Sequence, residues 1–294
     1  METYDCIVAG GGIAGSFFAY LSARNGKRVL LLEKLPIMGE KVCGGGVSYK
    51  ALDLLEQAGI DVSLLFSMGA QPIQGHRYVW LDGHQEMHHY SHHRYSMGVS
   101  RNILDCFLQQ QANSAGAVIR LGMPVTQWAI KNGHYVIGEF RAPHFIAAIG
   151  AYDWNGSAPK GQSAGMSSLI SGCSTADPTI FQFFYYGRQD DRYGWVFPIG
   201  ENLWNVGIWQ RTPQRSLRDE FNQFMLQTVI PFFPKGWTYR TKPHGALLGH
   251  IDQRNAFLCN GIGDFSGKNN RKNGGGIVGA LQSAWDLSSK IFNS

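Results

Sequence analysis

The chain has 294 residues, room for one large or two closely joined domains at about 150 residues each, and 44% of them are hydrophobic, enough to bury a core. Charged residues are only 16% and glycine occurs 37 times, which excludes disordered, coiled-coil and collagen-like classes. The formal net charge of +5 is too small and too dispersed for a nucleic-acid footprint, which needs basic residues clustered on one face.

The five cysteines (Cys6, Cys43, Cys106, Cys173, Cys259) are odd in number and widely spaced, with no C-x-x-C pair. Neither a disulfide framework nor a zinc site is indicated, and a reducing, cytoplasmic setting is expected. The N-terminal residues lack the basic region of a signal peptide, and no stretch reaches the ~18 apolar residues of a spanning helix. Membrane contact, if any, is expected to be peripheral.

In chain order, Tyr4 to Ala9 predicts a strand, Gly10 to Gly15 a turn, Ile13 to Asn25 a helix and Arg28 to Glu33 a second strand. A glycine loop (Gly39 to Gly46) precedes a helix opened by Ser48 and stopped by Gly59. Gly75 to Met97 predicts short strands split by a turn at Asp82-Gly83. A helix from Ser100 to Ala115 and a strand from Ala117 to Leu121 follow. A hairpin at Asn132-Gly133 and a buried strand from His144 to Ile149 come next. Gly156 to Thr175, rich in Gly and Ser, predicts a loop. Residues 179 to 210 alternate aromatic residues in the manner of strands, and Ser216 to Thr228 has amphipathic helical spacing. Ala256 to Gly261 predicts a strand, Gly263-Asp264 a turn and Gly276 to Phe292 a final helix. Nucleotide-binding pieces thus stand at both ends of the chain, with a sheet inserted between them.

Gly10-x-Gly12-x-x-Gly15 lies between a strand and a helix, the context a dinucleotide fingerprint requires. Gly10 serves the tight turn, Gly12 the close approach of a pyrophosphate, and Gly15 the packing of helix on strand. The first helical amides, at Ile13 and Ala14, face that anion with the helix dipole behind them. Glu33, followed by Lys34, stands at the end of the second strand, where a carboxylate accepts hydrogen bonds from a ribose.

Further motifs follow: Tyr4-Asp5, Lys41-Val-Cys43-Gly44-Gly-Gly46, Tyr193-Gly-Trp195-Val-Phe197-Pro198, and Gly261-Ile-Gly263-Asp264 with Gly274-Gly275-Gly276-Ile277. As a set and in this order they resemble the geranylgeranyl reductase branch of the FAD-dependent oxidoreductases related to p-hydroxybenzoate hydroxylase. The resemblance implies a mixed α/β fold: a Rossmann-like FAD-binding domain (1–71, 98–175 and 246–294) with an inserted antiparallel-sheet substrate domain (72–97 and 176–245). It implies FAD as cofactor, with Glu33 on the adenosine ribose and Arg101 and Asp264 on the pyrophosphate or ribityl. Gly275, Gly276 and Ile277 would face the flavin pyrimidine edge. Cys43 would lie beside the isoalloxazine, either as a functional thiol or as a small residue tolerated in a tight loop. Tyr193, Trp195 and Phe197 share one strand face, as a substrate pocket or as core packing. His84, His88, His89, His92 and His93 are expected on a solvated or pocket-edge strand rather than around a metal.

The sequence also departs from its relatives. Cationic Lys268, Arg271 and Lys272 occupy a loop where relatives have a proline. The hydroxylase Gly-Ala-Asp-Gly signature is degraded to Gly150-Ala-Tyr-Asp153-Trp-Asn-Gly156. No lysine stands between Lys50 and Lys131, against a flavin halogenase. The chain is short for the branch, which implies a more open pocket. The resemblance favours electron transfer between FAD and an apolar or aromatic substrate, with double-bond reduction as the family's reaction and an unspecified electron donor. Two alternatives are a monooxygenase acting on an aromatic group, including one on a peptide or protein, and a non-catalytic FAD-binding accessory protein.

Overall fold

The computed structural model describes residues 1–91, 94–151, 163–187, 191–211, 216–248, 259–267 and 275–292. A short strand β1 (Glu2–Thr3) leads into the wholly buried β2 (Cys6–Ala9), and helix α1 (Ile13–Arg24) carries the chain to β3 (Val29–Glu33). The glycine loop ends in β4 (Gly46–Val47), followed by α2 (Tyr49–Gln57), α3 (Leu64–Ser67) and β5 (Gln71–Ile73). The hairpin β6 (Gly75–Trp80) and β7 (Gln85–His89) turns at Asp82-Gly83 as predicted. After β8 (Ser96–Gly98), α4 (Arg101–Ser114) starts at Ser100, whose hydroxyl accepts from the Ile103 amide.

Next come β9 (Val118–Leu121), the meander β10 (Ala129–Lys131), β11 (His134–Ile137) and β12 (Phe140–Ala142), and β13 (His144–Ala147). Four long strands follow: β14 (Ser163–Ser171), β15 (Ile180–Tyr185), β16 (Arg192–Gly200) and β17 (Leu203–Gln210). Helix α5 (Leu217–Phe224) runs on as one π turn, and β18 (Thr238–Tyr239), β19 (His244–Leu248) and β20 (Asn260–Gly261) precede α6 (Ile277–Phe292).

A parallel sheet in the order β20-β13-β2-β3-β9 forms the nucleotide-binding layer. Because side chains alternate along a strand, Cys6, Val8, Val29 and Leu31 face a core shared with α1, α2, α4 and α6. Ile7, Ala9, Leu30 and Leu32 face a second core under the meander. Burial on both sides explains the unbroken apolar runs of these strands. Phe17 and Phe18 are fully enclosed, each contributing about 1.5–3 kcal/mol.

The second layer is an eight-stranded sheet, β18-β14-β17-β16-β15-β6-β7, with β19 also on β14. Its pairings are antiparallel except where β6 joins β15. The expected loop over Gly156 to Thr175 is corrected here: Ser163–Ser171 is a strand with eight of nine residues buried, paired to β17 on one side and to β18 and β19 on the other. On the neighbouring β17 the packing is tight, since a Cβ on Gly207, opposite Ser167, would lie 2.2 Å from the Trp195 indole. The eight-stranded sheet therefore takes in stretches of 98–175 and 246–294 that were expected with the nucleotide-binding layer. Asp153 to Gly156 and Ala256 to Leu258 lie outside the described residues, so the predicted strand is seen only at Asn260–Gly261.

Candidate active site

At the end of β2 the chain turns through Gly10 at φ +105°, a conformation that favours glycine, and a Cβ there would strike the Ala148 carbonyl at 2.3 Å. A Cβ on Gly15 would lie 1.9 Å from the Gly10 carbonyl oxygen, so α1 packs on the turn only because Gly15 has no side chain. Gly12 is the N-cap of α1 and no side chain caps it, which leaves the first-turn amides at Ile13 and Ala14 for an anion. Glu33 fixes the turn from below: its Oε2 accepts from the Gly11 amide at 2.6 Å and its Oε1 from Leu35 at 2.9 Å. Gln109 Nε2 donates to the Gly11 carbonyl at 2.8 Å. Lys34 is exposed beside Glu33.

The other end of the chain meets the same spot. Gly263 is buried, donates its amide to Ser283 Oγ at 2.9 Å, and would place a Cβ 3.0 Å from that of Ala14. Asp264 is half-buried on this turn. Gly275 is exposed, Gly276 and Ile277 are half-buried, and α6 begins with the Ala280 amide donating to the Gly276 carbonyl. Lys268, Arg271, Lys272 and Gly274 lie outside the described residues.

Between the two layers lies the loop Lys41 to Gly46. Arg101, at the first turn of α4, donates from Nε to Asp105 Oδ1 at 3.1 Å and from Nη2 to Oδ2 at 3.2 Å, and Lys41 Nζ reaches Oδ2 at 2.7 Å. Burial opposes the Arg101 charge, yet the attraction of Asp105 and Cys43 outweighs it and raises the guanidinium pKa. Cys43 Sγ lies near the Arg101 guanidinium and accepts from the Gly45 amide at 3.5 Å. Its side chain thus faces a cation, while its backbone is tied to the sheet. Asn205 Nδ2 donates to the Cys43 carbonyl at 2.7 Å, while Asn205 Oδ1 accepts from Trp195 Nε1 at 2.8 Å. Gly44 presses on the same face, where an added Cβ would meet the Phe197 ring at 2.7 Å.

Tyr193, Trp195 and Phe197 alternate along β16 and share this face with Phe181, Phe183 and Trp209. Trp195 and Phe197 are buried and Tyr193 is half-buried, its phenol pKa raised chiefly by burial. The rings continue outward without a break: Tyr193 to Tyr185 at 5.7 Å, then Tyr185 to Trp80 at 5.8 Å. At the outer edge His84, just before exposed β7, and His88 on it flank Glu86 at 3.1 and 3.5 Å, and His89 is exposed too. No three His, Cys, Asp or Glu side chains among the described residues are grouped to hold a metal, and His92 and His93 lie outside them.

The sequence reading named Lys41 only as part of a motif, and it missed Asp105, Gln109 and Asn205. Arg101 and Asp105 stand at an i,i+4 helical spacing, a signal that was there to be used. Asn205 carried no such signal.

Residues 3–132 match the family model described as an FAD binding domain. A digeranylgeranylglycerophospholipid reductase of Thermoplasma acidophilum is 30% identical over 71% of this chain and 57% of its own length. These matches support an FAD-dependent oxidoreductase similar to the geranylgeranyl reductases. It thus spans 57% of the length of that curated relative. A menaquinone reductase of Mycobacterium tuberculosis is 24% identical over 100% of this chain and 77% of its own length. Among solved structures, a geranylgeranyl bacteriochlorophyll reductase-like protein of T. acidophilum matches with a TM-score of 0.82 at 23% identity, covering 100% of this chain and 79% of that one. A flavin-dependent brominase matches at 0.77 and 17% identity over 99% of this chain and 80% of that one, a likeness of fold alone.

The cofactor of this family is FAD, and the cradle fits it. The uncapped α1 N-terminus, the Gly10 turn with no room for a Cβ, and the Gly263 turn against Ala14 meet at the first turn of α1, which could hold a dinucleotide's phosphates.

Proposed function

We propose that this chain is an FAD-dependent oxidoreductase that reduces a carbon–carbon double bond of an apolar, isoprenoid-like substrate held between the glycine loop and the aromatic sheet. The observation that carries this reading is the bridge from Trp195 through Asn205 to the Cys43 carbonyl, which fastens the backbone of the cysteine loop to an aromatic wall at the junction of the two layers. Relatives named as a digeranylgeranylglycerophospholipid reductase and a menaquinone reductase support a reductase. The parallel layer serves as the FAD-binding unit and the eight-stranded sheet as the substrate unit.

When bound, FAD supplies the two-electron chemistry. In this reading the α1 amides and Arg101 hold the phosphates, Glu33 holds the adenosine ribose, Asp264 holds the ribityl end, and the Gly275 to Ile277 backbone faces the pyrimidine edge. Reducing an alkene also needs a proton, which in this reading the Cys43 thiol donates. Tyr193, Trp195 and Phe197 exclude water and supply apolar surface. No helix among the described residues is long and apolar enough to cross a membrane.

The test is to reduce the FAD-loaded chain without oxygen and mix it with geranylgeranyl-bearing lipids. Substrate-dependent flavin reoxidation with loss of a double bond by mass spectrometry is expected. Reoxidation only by oxygen, with oxygen transferred to an aromatic acceptor, would replace the reductase reading with a monooxygenase.

A further inference from the structure

Asp105 has a side chain that is 0% exposed, and two cations converge on it. Arg101 grips it with two nitrogens and Lys41 with a third. A buried carboxylate needs a partner to offset its desolvation, and one cation is enough for that. The second leaves the trio with a surplus positive charge. Glu40 is also close, but its two oxygens accept from the Arg101 and Asn102 amides, at the positive end of α4.

The surplus has a definite place. Lys41 Nζ lies 3.2 Å from where a Cβ on Gly12 would stand, directly over the N-cap of α1. That N-terminus belongs to a twelve-residue helix and has no capping side chain. The Lys41 side chain is 35% exposed, so an incoming anion can reach its Nζ while Asp105 holds it. Arg101, 14% exposed, shares the same carboxylate from α4.

We propose that Lys41 is a ligand of the FAD pyrophosphate, and that Asp105 is the positioning residue that aims Lys41 and Arg101 at it. The proposal rests on the assignment of FAD to this cradle. Without Asp105 the two cations repel each other and Lys41 loses its anchor over Gly12. Asp105 therefore aids the binding of an anion although it is itself negative. This is opposite to what its charge alone would do.

The experiment titrates the full chain, stripped of cofactor, with FAD, ADP and adenosine. Binding of FAD by the unaltered chain tests the cofactor assignment separately, and failure there would remove that assignment rather than the role of Lys41. Lys41→Met is expected to weaken FAD and ADP about tenfold to hundredfold, the value of one charge-assisted hydrogen bond, and to leave adenosine unchanged. It should also flatten the salt dependence of ADP binding, while Lys41→Arg restores part of the affinity. Asp105→Asn is expected to weaken ADP although it removes a negative charge. Unchanged ADP affinity in Lys41→Met, an equal loss for adenosine, or tighter ADP binding in Asp105→Asn would overturn the proposal. If circular dichroism shows that Asp105→Asn does not fold, the Lys41→Met and Lys41→Arg pair decides alone.

Discussion

Replacing Asn205 by alanine should loosen the junction between the two layers by an amount that can be worked out. Asn205 is 3% exposed and makes two short hydrogen bonds, one to Trp195 and one to the Cys43 carbonyl. Trp195 is 4% exposed, so its indole N–H would be stranded away from water at a cost of about 2 kcal/mol. Cys43 is half-buried, so water recovers part of the bond to its carbonyl, leaving about 1 kcal/mol. The expected loss is therefore about 3 kcal/mol in equilibrium urea unfolding of the cofactor-stripped chain. Trp195→Phe strands Asn205 Oδ1 instead, and the double variant should lose about 1–2 kcal/mol less than the two single losses added together. Alkylation of Cys43 by iodoacetamide should quicken in Asn205→Ala as the loop is released. A change under about 0.5 kcal/mol, fully additive with Trp195→Phe, would refute the bridge as a structural tie.

Gly15→Ala should destabilise the chain by at least about 1–3 kcal/mol and abolish FAD retention, because its Cβ would sit 1.9 Å from the Gly10 carbonyl; a stable variant that stays yellow would contradict this. His76 and His144 are held below the ordinary histidine value, in each case chiefly by burial, with His88 adding to it at His76 and Asp5 partly offsetting it at His144. Unfolded histidines titrate near about 6.5, so below that pH the unfolded chain takes up protons that the folded one refuses. Stability should accordingly fall as pH drops from about 7 through the lowered folded values, more gently in His76→Gln, and urea unfolding across that range would expose the opposite slope if it existed. The Tyr185 phenol is pushed up to about 12 by burial first and by Tyr78 second, so Tyr185→Phe should remove a late step from the ultraviolet phenolate titration.

The nucleotide-binding half was legible because each of its requirements acts locally. A glycine is needed at φ +105°, an uncapped helix start must follow, and an acid must end the next strand, and all three fall within residues 10–33. The strand Ser163–Ser171 was not legible, because its identity is imposed from outside. Its serines and glycine suit a loop by composition, yet their pairing partners and hydrogen bonds lie on strands far along the chain. Ser168 Oγ, for instance, donates to the Thr241 carbonyl at 2.6 Å. Asn205 was invisible for a similar reason: a lone asparagine in an apolar strand gains meaning only when Cys43, 162 positions away, is seen against it.

The parallel seam between β6 and β15 bears on how the molecule comes into being. It joins Gly75–Trp80 to Ile180–Tyr185, so the hairpin made early in synthesis waits with an open edge until a distant strand arrives. Contacts of such long sequence separation slow folding, and an unpaired edge invites association with other chains in the meantime. The local β2-α1-β3 unit has no such delay and can form first. The cradle itself closes only when the Gly263 turn and α6 arrive, after the aromatic strands, and a chain interrupted between β6 and β15 would be prone to aggregate rather than to persist as a half-built flavoprotein.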